Sequence, residues 1–204
     1  MQVRRVGRDA VLVEIDAVAV PAWFAELRRR RDAGDLAFVE IVPGARTILL
    51  DGVPDPAALV RTLTLLPAPP LVSTVSSRVV VIPAVYDGPD LLDVARRWNA
   101  TAEETVRIHS STRFTVAFCG FTPGFAYLTG LPPRLRVPRH PAPRVRVPAG
   151  SVALAGPYTA VYPGESPGGW QLIGRTDLRL FDLACDPPAR LSPGTTVCFR
   201  PVAG

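Results

Sequence analysis

The second half of this chain is broken by proline every few residues, which rules out long helices there. Proline removes a backbone donor and its ring clashes with the preceding helical turn. Most of the 23 prolines follow residue 80, and 16 glycines accompany them. Between them lie short apolar runs at residues 114–119, 151–155, 159–162, 170–173 and 195–200. Many short strands punctuated by Gly/Pro turns predict a barrel or sandwich. The 48% hydrophobic content argues against wholesale disorder.

The first part reads differently. Residues 10–15 predict a strand, and Pro21 followed by Trp23, Phe24 and Leu27 predicts a helix with proline in its first turn, ending at Arg28 to Arg31. Residues 36–42 and 46–50 predict two further strands around the Pro43-Gly44 turn, and Pro54-Asp55-Pro56 opens a second helix through Leu66. With a strand at residues 78–82, this order predicts a small ferredoxin-like sheet. The expected division is an N-terminal α/β domain over residues 1–82, with a linker around 67–77 and a Ser/Thr run at 73–77. A β-barrel domain over 83–204 follows, led by two helices. The first of these is predicted over 90–98. Thr101 with Glu104 forms a capping-box pattern opening the second.

Every basic residue is arginine, so a Schiff-base lysine, a Walker lysine and a biotinylated lysine are all excluded. No acidic residue stands between Glu104 and Glu165, yet Arg107, Arg113, Arg134, Arg136, Arg139, Arg144, Arg146, His109 and His140 do. Such a one-sided segment suits a small anion if a few guanidinium groups converge; a merely solvated face stays open. Arginines alternating with proline fix positions and do not track a long phosphate backbone, so nucleic acid is not expected. The glycine patterns at Gly120 and Gly124, and at Gly164, Gly168 and Gly169, match neither a P-loop nor a dinucleotide fingerprint. They read as tight turns, or as backbone amides offered to an anion by residues 166–170. Ser166 is not in a nucleophile elbow, and paired carboxylates are absent from this segment. Cys119, Cys185 and Cys198 have no metal-ligand spacing, and no metal is expected in this chain. Cys119 and Cys198 sit in apolar runs and are expected to be buried thiols. No run of eighteen apolar residues and no signal-like N-terminus occur, so the expectation is a cytoplasmic protein without a membrane span. His109, at a helix end beside Ser110-Ser111, reads either as an ordinary partly buried histidine or as a group that orients a ligand or carries a proton.

Several long motifs occur in one order: Gly120-Phe121-Thr122-Pro123-Gly124-Phe125-Ala126-Tyr127-Leu128, Pro138-Arg139, Pro143-Arg144, Val147-Pro148-Ala149-Gly150-Ser151-Val152, and Ser166 through Thr176. Together they resemble the B subunit of 5-oxoprolinase, the allophanate hydrolase subunit 1 type that includes Kip-type kinase inhibitors. The resemblance implies a cyclophilin-like β-barrel behind the N-terminal α/β domain, hence an α+β protein. It implies partnership with the C and A subunits of 5-oxoprolinase in a cytoplasmic complex. That complex opens 5-oxo-L-proline to L-glutamate at the expense of ATP, with magnesium supplied to the assembly. An unstrained lactam is a poor electrophile, and phosphorylating its oxygen creates a leaving group.

From the chemistry of their side chains, and not from the resemblance, His109, Arg139 and Arg144 are the expected catalytic residues. The two arginines are expected to serve ligand charge and not the fold, because no nearby carboxylate is available to them in sequence. Tyr127, Thr159, Tyr162, Ser166, Gly168, Gly169, Trp170 and Gln171 are the expected substrate or nucleotide contacts. An apolar patch around Phe121, Phe125 and Leu128 is expected to face a partner. Where relatives carry Gly-Gln-Thr-Gly, this chain has Pro157-Tyr158-Thr159-Ala160. That departure leaves a related urea or allophanate chemistry, inhibition of a sensor histidine kinase, and a purely structural partner role as alternatives.

Overall fold

The computed structural model describes residues 1–71 and 78–204. The Ser/Thr run expected as a linker at 73–77 lies outside the described residues. The chain divides into two compact units, Met1–Thr74 and Val75–Gly204.

The first unit is a four-stranded antiparallel sheet with two helices. Strands β1 (Gln2–Val6) and β2 (Ala10–Glu14) form a hairpin, helix α1 (Val20–Asp32) follows, then β3 (Glu40–Pro43), β4 (Thr47–Asp51) and α2 (Pro56–Leu65). The strand order is β1-β2-β4-β3. Pro21 sits in the first turn of α1, where no intrahelical N–H is needed. The Asp55 side chain accepts from Ala58 N and caps α2. Val11, Val13, Ile48 and Leu50 alternate inward against Trp23, Leu27, Leu59 and Leu63 to form this unit's core. The strand expected at 78–82 does not close this sheet. The edge place beside β2 is taken by β1, whose register runs from Gln2 opposite Glu14 to Val6 opposite Ala10. The sequence hides this N-terminal strand because Arg4 and Arg5 interrupt its apolar pattern on an exposed edge.

In the second unit, β5 (Val79–Ala84) leads to helices α3 (Leu91–Trp98) and α4 (Ala102–Ser111). There follow β6 (Phe114–Cys119), β7 (Ala126–Thr129), β8 (Arg144–Val147), β9 (Ser151–Ala155), β10 (Tyr158–Val161), β11 (Ser166–Gly168), β12 (Gln171–Arg175) and β13 (Thr196–Pro201). The large sheet has the order β12-β9-β10-β7-β6-β13-β5. β5 runs parallel to β13, with Ile82 opposite Phe199. Just past β5, Val85 and Arg175 exchange backbone hydrogen bonds of 2.9 and 2.8 Å. That exchange ties the last strand to the first and makes a nearly closed barrel. Residues 78–82 are therefore part of a barrel stave, and Ile82 with Ala84 beyond it joins the barrel core.

Two helices pack against that core, Leu91 and Val94 of α3 joining it and Val106 of α4 lying against it. Asn99, in the left-handed conformation at φ 50°, terminates α3. Thr101 and Glu104 make the full reciprocal capping box of α4. Strands β8 and β11 form a separate two-stranded ribbon with Ser166 opposite Val147.

Among the described residues, no helix is long and apolar enough to cross a membrane, and no group of three His, Cys, Asp or Glu could hold a metal ion. Cys119 and Cys198 are half-buried, less than their apolar runs predict, and Cys185 is exposed. Burial pushes the Cys119 thiol up to about 11, so it stays protonated near neutrality.

Candidate functional site

Strand alternation sorts the expected site residues onto two faces of the barrel sheet. On β10 and just beyond, Tyr158, Ala160 and Tyr162 point to one face, whereas Thr159 and Val161 point to the other. On the first face, Ala153 and Ala155 of β9 and Leu172 of β12 make a shallow bed of small and apolar groups. The aromatic rings lie over it. Tyr127 stacks on Phe118 with centroids 4.3 Å apart and meets Trp170 edge-on at 5.7 Å. Phe125 packs edge-on against Tyr162 at 5.3 Å and Trp170 at 5.5 Å. Edge-to-face pairs are favoured by the ring quadrupole, so the cluster is rigid as well as apolar.

A cleft of about 100 Å³ opens above this floor, walled by Pro167, Gly168 and Gly169 and lipped by Phe121 and Arg139. Gly168 has to be glycine, because a Cβ there would overlap the Tyr162 hydroxyl. Phe121 is held at φ 74°, a conformation unusual for a non-glycine residue, and is 62% exposed at the lip. Strain of this kind concentrates at functional sites. Phe125 and Leu128, expected to share an exposed apolar patch, are buried, and only Phe121 of the three reaches solvent. The Arg139 guanidinium lies over the Trp170 ring at 5.8 Å, a cation–π placement that leaves its charge facing the cleft. Burial pushes the Tyr162 phenol above its usual range, partly opposed by Arg139 and Arg144, so the hydroxyl is neutral at physiological pH.

Arg144, paired with Arg139 in the sequence argument, does something else. Its Nη2 donates to Asp90 Oδ1 at 2.7 Å and its Nη1 to the Trp170 carbonyl at 3.3 Å. The carboxylate missing from its own stretch arrives from the N-terminal end of α3, a distance in sequence that local charge counting does not see. Asp90 is buried and also accepts from the Leu172 amide at 2.6 Å. Burial alone would raise its carboxyl, but the Leu172 amide, Arg144 and His140 together hold it below the ordinary carboxylate range. His140 Nε2 lies 3.2 Å from Asp90 Oδ1, near enough for attraction but outside hydrogen-bond alignment. Arg144 thus fastens the ribbon to the barrel and does not reach the cleft.

His109 is on the opposite face, fully buried between Phe114 and Phe199. Thr159 donates its hydroxyl proton to the Ala153 carbonyl at 2.9 Å, so its oxygen must accept from His109 Nε2–H at 3.0 Å. Nδ1 then accepts from the Tyr86 hydroxyl at 2.8 Å. Burial drives the His109 pKa down to about 3 and pushes the Tyr86 phenol up, so the imidazole is neutral with a fixed tautomer. His109 and Thr159 are a satisfied polar pair inside the barrel, away from the cleft.

Gln171 is also buried, donating Nε2–H to the Pro138 carbonyl at 3.0 Å. Its Oε1 and the Ser166 hydroxyl are buried without a partner among the described residues. The structure therefore gathers Tyr127, Arg139, Tyr162, Gly168, Gly169 and Trp170 at one cleft. Gln171 and Arg144 support it from behind, and His109 and Thr159 stand apart. Sequence reasoning missed Asp90 and Phe118. Asp90 looked like an ordinary helix-start residue, and nothing in one chain segment shows which strand lies across from it.

A family model described as the carboxyltransferase domain, subdomain C and D, matches residues 1–191. The chain belongs to this family. It is 52% identical over 128 residues to the 5-oxoprolinase B subunit of Escherichia coli O157:H7, covering 61% of this chain and 59% of that protein. It is 44% identical over 166 residues to the 5-oxoprolinase B subunit of Haemophilus influenzae, covering 79% and 78%. The crystal structure of TTHA0988 superposes on it with a TM-score of 0.79 at 34% identity, covering 100% of this chain and 41% of that one. The chain thus spans less than two thirds of both the Escherichia coli relative and TTHA0988.

Proposed function

We propose that this chain is the B-type component of a cytoplasmic, ATP-dependent 5-oxoprolinase that converts 5-oxo-L-proline to L-glutamate together with the A and C subunits. On this reading the second unit is a cyclophilin-like barrel, and the first is a ferredoxin-like module whose edge strand is supplied by β1. The observation that carries the reading is the aromatic cleft with one guanidinium at its lip. It has the shape and polarity for a small planar ring bearing a carboxylate, and the similarity to proteins named as the B subunit of 5-oxoprolinase selects the lactam.

The residues divide the work. Trp170 and Tyr127 offer faces to the ring, and Arg139 offers two parallel N–H donors to the carboxylate. The Tyr162 hydroxyl, neutral at working pH, can hydrogen-bond the ring amide. The apolar floor excludes water from one side of the lactam and strengthens the electrostatic contacts made there.

The cleft offers one guanidinium and the chain has no lysine, so a triphosphate would need further cationic groups. ATP and magnesium are therefore assigned to the assembled complex, at surfaces that the partner subunits complete.

Co-purification with the A and C subunits, followed by a coupled glutamate assay, tests the proposal. Glutamate should form only in the assembly and only with ATP. Arg139→Lys, which keeps the charge but loses the planar fork, should raise the 5-oxoproline KM by about tenfold, equivalent to roughly 1.4 kcal/mol. Unchanged kinetics in that variant, or turnover by the isolated chain, would remove the assignment.

A further inference from the structure

Arg139 is exposed and, among the described residues, makes no ion pair that would fix its guanidinium, yet the segment carrying it is fastened on both sides. Gly156 N donates to the Val137 carbonyl at 2.7 Å. Gln171 Nε2 donates to the Pro138 carbonyl at 3.0 Å. His140 N donates to the Gly169 carbonyl at 2.7 Å. Arg144, beyond His140, is locked to buried Asp90 and to the Trp170 carbonyl. Residues 137–144 therefore form a strap laid across the residues that carry Trp170 and Gln171. The strap's far end is held by a carboxylate from a different element.

We propose that Asp90 is a positioning residue for the cleft: through Arg144 it holds the strap down and so sets the Arg139 guanidinium above Trp170. Both oxygens of Asp90 take part. Oδ2 accepts from the Leu172 amide, which fixes the carboxylate relative to β12, and Oδ1 accepts from Arg144. The same Arg144 guanidinium reaches the carbonyl of Trp170, so one residue couples the strap's end to the cleft's floor. The consequence for binding rests on the function proposed above; the positioning itself does not.

Asp90→Asn is the sharpest variant. The amide oxygen can still accept from Leu172, while the NH₂ group repels Arg144 and releases the strap's Arg144 end, leaving the bonds at Val137, Pro138 and His140 in place. If Asp90→Asn does not fold, Arg144→Gln severs the same contact from the other side. Two readouts separate the claims. In the isolated chain, the Trp170 indole N–H resonance should move in Asp90→Asn toward its position in Arg139→Met, because both variants remove the cation from the ring. An indole resonance unmoved by Asp90→Asn would overturn the positioning role whatever the reaction is.

In the assembled enzyme, Asp90→Asn should raise the 5-oxoproline KM by about fivefold with kcat changed less than about twofold. Added to Arg139→Met it should raise KM no further, since the group it positions is already gone. Additive KM effects would show that Asp90 acts without Arg139 and would also overturn the proposal. A wild-type assembly that makes no glutamate would instead strike the functional reading, and the indole comparison would still decide the positioning.

Discussion

The two faces of the β7–β10–β9–β12 sheet are made by the same strands, often by adjacent residues, and they are built on opposite principles. The inner face is aliphatic and closed. Leu128, Val152, Leu154, Val161 and Ile173 meet Phe114 and Phe199 there, and the polar pair His109–Thr159 has every hydrogen bond made inside the protein. The outer face is aromatic and open, with rings of Phe121, Phe125, Tyr127, Tyr162 and Trp170 around a cleft and a cation over one of them. The difference separates two kinds of residue that look alike in sequence. Thr159 and Tyr158 are neighbours; one is fixed inside the barrel, while the other packs edge-on at 5.5 Å against Phe118 and Tyr127 of the cleft floor. Substitution on the inner face should cost stability, and substitution on the outer face should cost binding.

The largest effect that would break this comparison belongs to Phe114. It is fully buried and touches both His109 and Phe199. Phe114→Ala removes the ring and leaves a cavity, at a cost of about 3–5 kcal/mol in denaturant unfolding. A variant with wild-type stability would show that the inner face is not the barrel's core.

The next prediction concerns acid. His109 is neutral in the fold, with its pKa lowered to about 3, against 6.5 for an ordinary histidine. Between those values the unfolded chain binds a proton that the folded chain refuses, so stability rises with pH through this window. The contribution is fully present above about 6.5 and is lost as pH falls toward 3. His109→Gln keeps hydrogen-bonding capacity but removes the titration. Its denaturant midpoint should change less with pH than the wild type's over that range. An equal slope in both proteins would mean that His109 is not the group responsible.

Much of the local structure was legible from residues alone. The capping box of Thr101 and Glu104, the proline-initiated α1 and the strands at 114–119 and 151–155 all rest on near-neighbour chemistry, which a sequence displays directly. What was not legible depends on which strand lies beside which. Residues 78–82 read correctly as a strand but were given to the wrong sheet, because their partner β13 lies more than a hundred residues later. Arg144 reads as a ligand clamp in sequence because its carboxylate sits 54 residues away on another element. The motif carrying Thr159 was recognisable, but its direction was not. Facing is set by register, and a shift of one residue would have exchanged Thr159 with Tyr158. The cleft was half legible: Trp170, Tyr127 and Arg139 came from the motifs, whereas the stack of Phe118 on Tyr127 needed the pairing of β6 with β7.

The smallest predicted effect sharpens the comparison from the outside. Arg146 and Glu165 join the two strands of the ribbon beside the cleft, Glu165 being the acidic residue that ends the long acid-free stretch. Their side chains are 75% and 50% exposed. An exposed pair gains little Coulomb energy in water, orders two long side chains and is screened by salt, so it is worth roughly 0–1 kcal/mol. The ribbon already has an independent tether in Arg144 and Asp90, which are far less exposed. Arg146→Ala should therefore leave the unfolding midpoint within experimental scatter of wild type, at both low and high salt, and leave the 5-oxoproline KM unchanged. If instead Arg146→Ala raised KM as Arg139→Lys is expected to, the ribbon's outer edge would belong to the binding face. The site would then extend past the Pro167-Gly168-Gly169 wall, and the boundary between the cleft and the solvated surface would have to be redrawn around Glu165.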